Sequence, residues 1–170
     1  MSRGRPKRDE LITAFFREIS RQSTWTVIYH QAVALKMGLN PTDLKCRGVL
    51  NETGPITAGE LANLIGVTTG AVTGIVDRLE NAGLVQRDRD PNDRRRVVIV
   101  PLENPDAMRN MSQLFGSLNQ ASAALMATHY TNTQLELILD FIRRGTAVMK
   151  GETAKLRELK AAAQAHPSAR

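Results

Sequence analysis

Residues 57–83 read TAGELANLIGVTTGAVTGIVDRLENAG, and the fold is decided in this stretch. Thr57-Ala58-Gly59-Glu60 is a capping box: the Thr57 oxygen accepts one free N–H at the start of a helix, and Glu60 reaches back to another. Leu61, Leu64 and Ile65 give that helix an apolar face, and Gly66 supplies the positive φ of a tight turn. A longer helix follows with Val72, Ile75, Val76 and Leu79 at three- and four-residue steps, and Gly83 closes it. Two helices that cross steeply need a small residue where they touch, and Ala62 stands there, with Leu61, Ile65, Val67, Val72 and Ile75 on the packed faces. Ala58 to Asp77 therefore predicts a helix-turn-helix.

The second of these helices presents Thr68, Thr69, Gly70, Ala71, Thr73 and Gly74, all short side chains or hydroxyls. A helix lying in the major groove of DNA wants small residues where the two backbones approach, and hydroxyls for bases or phosphates. Each glycine inside a helix costs about 1 kcal/mol relative to alanine, so two of them call for a reason. Close approach to DNA is one; for Gly74, close packing on the preceding helix is another.

After Gly83 the apolar period changes. Leu84-Val85 and Val97 to Val100 read as two short strands around a turn at Asp90-Pro91-Asn92, and Pro101, which lacks a ladder donor, marks a strand end. Between the strands lie Arg87, Arg89, Arg94, Arg95 and Arg96, with Asp88, Asp90 and Asp93 among them. Arginines at a hairpin tip suit the negative potential of a narrow minor groove, and the aspartates can hold part of the set in orientation. An arginine-rich loop alone is more often a solvated turn; directly after a helix-turn-helix it reads as a wing.

The flanks are helical. Asp9 is a candidate cap for a helix whose apolar positions are Leu11, Ile12, Phe15, Ile19, Trp25, Ile28, Ala32 and Leu35, the period of one buried face, with Gly38 past its end. Asn40-Pro41 opens the next helix, through Leu44, Val49 and Leu50, and Gly54-Pro55 stops it. Asn104-Pro105 repeats that opening before Met108, Met111, Leu114, Phe115, Leu118 and Leu125. Thr131 to Gln134 is a second capping box, before Leu135, Ile138, Leu139, Ile142 and Met149. The expected fold is mainly α with a small β-hairpin wing. A winged helix-turn-helix domain over 40–103 is flanked by a helical dimerisation region over 9–39 and 104–160, with a basic tail at 1–8 and a flexible one at 161–170.

Composition agrees with a nucleic-acid partner. Lys+Arg 23 against Asp+Glu 17 gives a net charge of +6 over 170 residues, and 42% hydrophobic content allows a packed core. The single cysteine, Cys46, excludes an intrachain disulfide and a cysteine metal cluster; flanked by Lys45 and Arg47 it is either an activated thiol or a buried structural one. His30, His129 and His166 have no partner at ligand spacing, so no metal and no cofactor is expected. Neither a phosphate-binding glycine loop nor a serine elbow nor a metalloprotease helix is present, which points away from an enzyme. No signal-like or membrane-spanning run is seen, so a cytoplasmic, nucleoid-associated protein is expected.

Residues 40–103 resemble the MarR (multiple antibiotic resistance regulator) family. The resemblance is carried by Gly54-Pro55-Ile56-Thr57, Glu60-Leu61-Ala62, Thr69 through Glu80, Gly83-Leu84-Val85 and Asp90-Pro91-Asn92-Asp93-Arg94-Arg95. The family's wing signature, Asp-x-Arg, falls on Asp93 and Arg95, and the first and last two helices match its dimerisation region. The resemblance implies a dimeric transcriptional regulator, usually a repressor, on a pseudo-palindromic operator in double-stranded DNA. Its expected DNA contacts are Thr57, Thr68, Thr69, Gly70, Ala71, Thr73, Arg78, Arg87, Arg89, Asp93, Arg94, Arg95 and Arg96. Arg3 and Arg5, in an Arg-Gly-Arg-Pro tail like the core of an AT-hook, could add minor-groove contacts. It also implies a pocket for a small aromatic or phenolic effector, with Trp25, Tyr29, His30 and Arg47 as the expected lining. Two departures stand out: Gly74, where many members carry a polar or basic side chain, and Leu102-Glu103-Asn104-Pro105 after the second strand, where Leu-Thr is usual. The alternative reading is an architectural nucleoid protein of low sequence specificity.

Overall fold

The computed structural model describes residues 7–165, so Arg3 and Arg5 lie outside the described residues. The elements in chain order are α1 (Arg8–Lys36), α2 (Pro41–Thr53), β1 (Ile56–Thr57), α3 (Ala58–Ile65), α4 (Thr69–Asn81), β2 (Val85–Arg89), β3 (Val97–Pro101), α5 (Pro105–His129) and α6 (Asn132–Ala165). The chain falls into two compact units that part after Gly116. The mainly helical class with a small antiparallel wing is as expected.

The helix ends follow the chemistry of their sequences, with one correction. Asp9 lies inside α1; the cap position is Lys7, whose N–H donates to Glu10 Oε2 at 3.0 Å. The acid three residues on, rather than the cap residue's own side chain, takes up the free donor. At α2 the Asn40 N–H donates to Asp43 Oδ2 at 2.8 Å, at α3 Thr57 Oγ1 accepts from Glu60 N–H at 3.2 Å, and at α4 Thr68 Oγ1 accepts from Ala71 N–H at 3.2 Å. α6 runs to Ala165, five residues past the point where its alanine-rich composition suggests fraying.

The sheet has three strands in the order β1-β3-β2, all antiparallel. Two residues before α3, Ile56 and Thr57, pair with Ile99 and Val98; so short a segment has no period of its own and is invisible in the sequence. β2 carries Arg87, Asp88 and Arg89 into the ladder, opposite Ile99, Val98 and Val97, so these residues belong to a strand and not to the turn.

One core fills the first unit. Leu39, Cys46, Leu50, Leu61, Val72, Val76, Leu79, Leu84 and Ile99 are buried together, joining α2, α3 and α4 to the sheet. The long flanking helices differ. The face of α1 marked by its apolar period is exposed, with only Val33 and Ala34 of that helix buried, and no described residue of α5 is fully buried. A helical period reports a face that needs cover; it does not say which chain supplies it. Among the described residues, no single helix is long and apolar enough to cross a membrane.

Gly83 closes α4 at φ +68°, and a Cβ added there would come within 2.8 Å of Asn104 Nδ2. Asn104 is itself the cap of α5, its Oδ1 accepting from Asp106 N–H at 3.0 Å and Ala107 N–H at 3.3 Å. Gly83→Ala should therefore strain one helix end and displace the cap of another, lowering stability by about 1–3 kcal/mol in thermal or urea unfolding.

Candidate nucleic-acid interface

Helices α3 and α4 meet at 106° across the Gly66 turn, where Gly66 sits at φ +76°. Their apolar faces turn inward, which leaves Thr69, Gly70, Ala71 and Thr73 exposed along α4. The hydroxyls on this surface are not equivalent. Thr57 and Thr68 cap helices, and Thr73 Oγ1 donates back to the Thr69 carbonyl at 3.3 Å. The Thr69 hydroxyl has no hydrogen bond to a described residue. Packing explains neither glycine: a Cβ on Gly70 would meet nothing within 4 Å, and one on Gly74 would make ordinary contact with Arg78 Nη1 at 3.5 Å. Packing on the preceding helix is thereby removed as the reason for Gly74.

Asp43 is the residue that sequence reading missed. Its carboxylate is fully buried and accepts from Arg78 Nε at 2.9 Å, Arg78 Nη2 at 2.8 Å and the Asn40 N–H. A buried carboxylate costs several kcal/mol unless it is paired and hydrogen-bonded, and three donors meet that condition here. The hydrogen bond to Asp43 raises the Arg78 guanidinium above its ordinary pKa. Two of that group's five N–H donors thus face Asp43, leaving the two on Nη1 and one on Nη2 for any contact with DNA. The signal for Asp43 as a helix-start acid was present in Asn40-Pro41-Thr42-Asp43; nothing local could name a partner 35 positions away.

The wing arginines separate into two groups. Arg87, on β2, donates from Nη1 to Glu80 and from Nη2 to Asp77 Oδ1 at 2.7 Å, while its backbone N–H donates to Glu80 Oε1 at 2.7 Å. Arg96 pairs with Glu60 Oε1 at 3.0 Å, and Arg89 Nη1 donates to the Arg94 carbonyl at 2.7 Å. The side chains of Arg94 and Arg95 have no hydrogen bond or ion pair with a described residue. Asp93 Oδ1 accepts from the Arg95 N–H at 3.0 Å, so it orders the backbone at Arg95 and leaves the guanidinium outward. The Glu60 carboxyl is held below its ordinary pKa by the Thr57 hydroxyl and N–H and, less strongly, by Arg96.

The residues expected to line an effector pocket sit in different local surroundings. Trp25 is 62% exposed on α1. Tyr29 and His30 are half-buried with their rings edge-on to Phe115 at 5.9 and 5.7 Å, and Tyr29 Oη donates to the Leu114 carbonyl at 2.7 Å. Arg47 is buried on α2, donating from Nη2 to the Leu102 carbonyl at 3.2 Å; burial lowers its pKa, against a smaller opposing effect of Glu103. A separate cleft of about 530 Å³ is lined by Lys36, Met37, Ala82, Ala107, Asn110, Gln113 and Leu114. Sequence reading passed over Lys36, Asn110 and Gln113 because they stand on the polar side of their helical periods. Cys46 is fully buried, and desolvation, aided by Asp43, pushes its thiol up to about 11, which removes the activated-thiol alternative.

A helix-turn-helix followed by an arginine-tipped hairpin defines a winged helix-turn-helix protein. Residues 39–97 match the MarR family. The chain is similar to the HTH-type transcriptional regulator YcgE of Bacillus subtilis, 45% identical over 154 residues, 91% of this chain and 98% of the other. It is a member of the MarR family of transcriptional regulators. In fold it resembles a MarR family protein from Bacillus stearothermophilus, with a TM-score of 0.64 at 19% identity over 85% of this chain and 99% of that one. It also resembles CouR from Rhodococcus jostii bound to p-coumaroyl-CoA, with a TM-score of 0.50 at 21% identity over 74% and 86%.

Two outcomes are expected. Gly74→Ala should raise stability by up to about 1 kcal/mol, since the helix gains a better former without a clash, while weakening DNA binding; unfolding and binding measured on one preparation would check both. For Cys46, the folded state holds the thiol proton above the ordinary pKa of 9.0, so between pH 9 and about 11 the folded form binds more protons than the unfolded one. Its contribution to stability should be intact below pH 9 and lost as pH rises through that window, so wild type should lose more stability there than Cys46→Ala.

Proposed function

We propose that the protein is a sequence-specific DNA-binding repressor that acts as a homodimer on a pseudo-palindromic operator and is released by a small aromatic or phenolic ligand. The observation that carries the DNA-binding part is the outward face of α4. It places an unengaged Thr69 hydroxyl and two glycines that packing does not require on the same domain as outward Arg94 and Arg95. Such a face suits close approach in the major groove, with the hairpin reaching the adjacent minor groove.

Dimerisation is supported by the exposed apolar positions of the flanking helices: Phe16 and Trp25 on α1, and Leu137, Val148 and Met149 on α6. Amphipathic helices of this kind are stabilised chiefly by tertiary cover, and a second copy supplies it. Two-fold symmetry would set the two α4 helices about one DNA turn apart, roughly 34 Å, which matches half-sites of inverted sequence. The effector part is supported by CouR, whose structure holds p-coumaroyl-CoA. In this chain the cleft beside Lys36 and Leu114 offers a cation and apolar walls for such a ligand. A ligand there weakens DNA binding only through its differential affinity for the two arrangements of the dimer.

Sedimentation should show a dimer at micromolar concentration, and selection from random-sequence DNA should yield an inverted repeat. That duplex should be preferred over a scrambled one by about 10³-fold or more at one salt concentration; no preference would favour the architectural alternative. Arg95→Ala should cost about 1–3 kcal/mol of binding to the selected duplex with its melting temperature nearly unchanged.

A further inference from the structure

The basic hairpin invites the reading that all of its arginines touch DNA, yet their partners argue otherwise. Arg87 is clasped from below by helix α4. Its Nη2 meets Asp77 and, at 3.4 Å, the Thr73 carbonyl; its Nη1 and its own backbone N–H both meet Glu80. Two carboxylates one helical turn apart thus take a forked guanidinium from the neighbouring strand, an arrangement that fixes direction as well as distance. On the other strand's side, Arg96 reaches Glu60, the same carboxylate that caps α3 through Thr57. β2 is tied to the second helix of the helix-turn-helix, and the start of β3 to the first. We propose that Arg87 and Arg96 are positioning residues that lock the wing to the two helices as one rigid reading surface, leaving Arg94 and Arg95 to meet the DNA. This inference rests on the DNA-binding reading above.

The physical distinction is measurable. An arginine that neutralises a phosphate releases counterions, so its removal flattens the dependence of log K on log salt by about 0.9 per contact. An arginine already neutralised by carboxylates of its own protein releases none; its removal loosens the geometry and lowers discrimination between sequences at every salt concentration. The carboxylates then become part of the reading surface although they repel DNA. Neutralising Asp77 and Glu80 together should therefore degrade discrimination just as removal of Arg87 does, even while it relieves repulsion.

The test uses the full-length protein and a labelled duplex that wild type selects from random-sequence DNA, with a scrambled duplex as reference, titrated from about 50 to 300 mM salt. Failure of wild type to prefer any selected duplex would remove the DNA-binding reading itself, before any variant is examined. Given that preference, Arg87→Ala should reduce the selected-to-scrambled ratio roughly tenfold with an unchanged salt slope. Asp77→Asn with Glu80→Gln should reduce the ratio to a similar extent, and combining all three substitutions should add little. Arg96→Ala and Glu60→Gln should behave as a second such pair. Arg94→Ala should instead flatten the slope by about 0.9 or more. Arg87→Lys, which keeps the charge and loses the fork, covers the case in which Arg87→Ala fails to fold: it should retain the slope and still lose discrimination. The proposal is overturned if Arg87→Ala flattens the slope, if Arg87→Lys restores full discrimination, or if the carboxylate variant keeps its ratio while its slope steepens.

Discussion

The pairing of Asp43 with Arg78 is the interaction on which the interface depends. Helix α2 packs one face on the core and α4 carries the outward face; this bidentate bond ties them through a carboxylate with no exposure to water. Breaking a buried pair by removing one partner usually costs about 3–5 kcal/mol, because the other charge is left stranded. The ties further out, Arg87 to Asp77 and Glu80 and Arg96 to Glu60, are half-exposed and are each worth about 1 kcal/mol or less to stability. The structure is thus graded: an inner, partly buried bond that salt screens little holds the helix, and outer bonds that salt weakens more hold the wing.

This grading bears on how a net charge is to be interpreted. A surplus of +6 describes the attraction of the whole chain to a polyanion. It says little about which cations are available, since three of the five hairpin arginines are occupied by their own protein while Arg94 and Arg95 are not. The acids of the two helices beneath the hairpin, Glu60, Asp77 and Glu80, hold Arg87 and Arg96 to the protein.

What was legible in the sequence was what the chain does over short distances. Capping boxes at Thr57 and Thr131, the Gly66 turn, the Asn40-Pro41 and Asn104-Pro105 openings and the change of period after Gly83 all depend on neighbours within four residues, and the structure has each of them. The pieces that escaped depend on distance. Strand β1 is defined only by its partner β3, and Asp43 becomes a buried ion-pair residue only once α4 is packed against α2. The extension of β2 through Arg89 escaped for a related reason: alternating Arg and Asp has no apolar period, and the ladder with β3 makes it a strand. The expected grouping of Trp25, Tyr29, His30 and Arg47 rested on residue types near a helix junction. In the folded chain Tyr29 and His30 meet Phe115, whereas Arg47 turns inward to the Leu102 carbonyl.

The seclusion of Cys46 has a practical corollary. Because the chain's one thiol is fully buried in the core and burial raises its pKa, it should be silent toward reagents that seek thiolates. A cysteine introduced at an exposed point of the hairpin or along α6 would be the only reactive handle on the native protein. Spin labels or dye pairs could then be attached in an otherwise natural background, and spacings across an assembly followed in solution without first removing a residue on which the interior is packed.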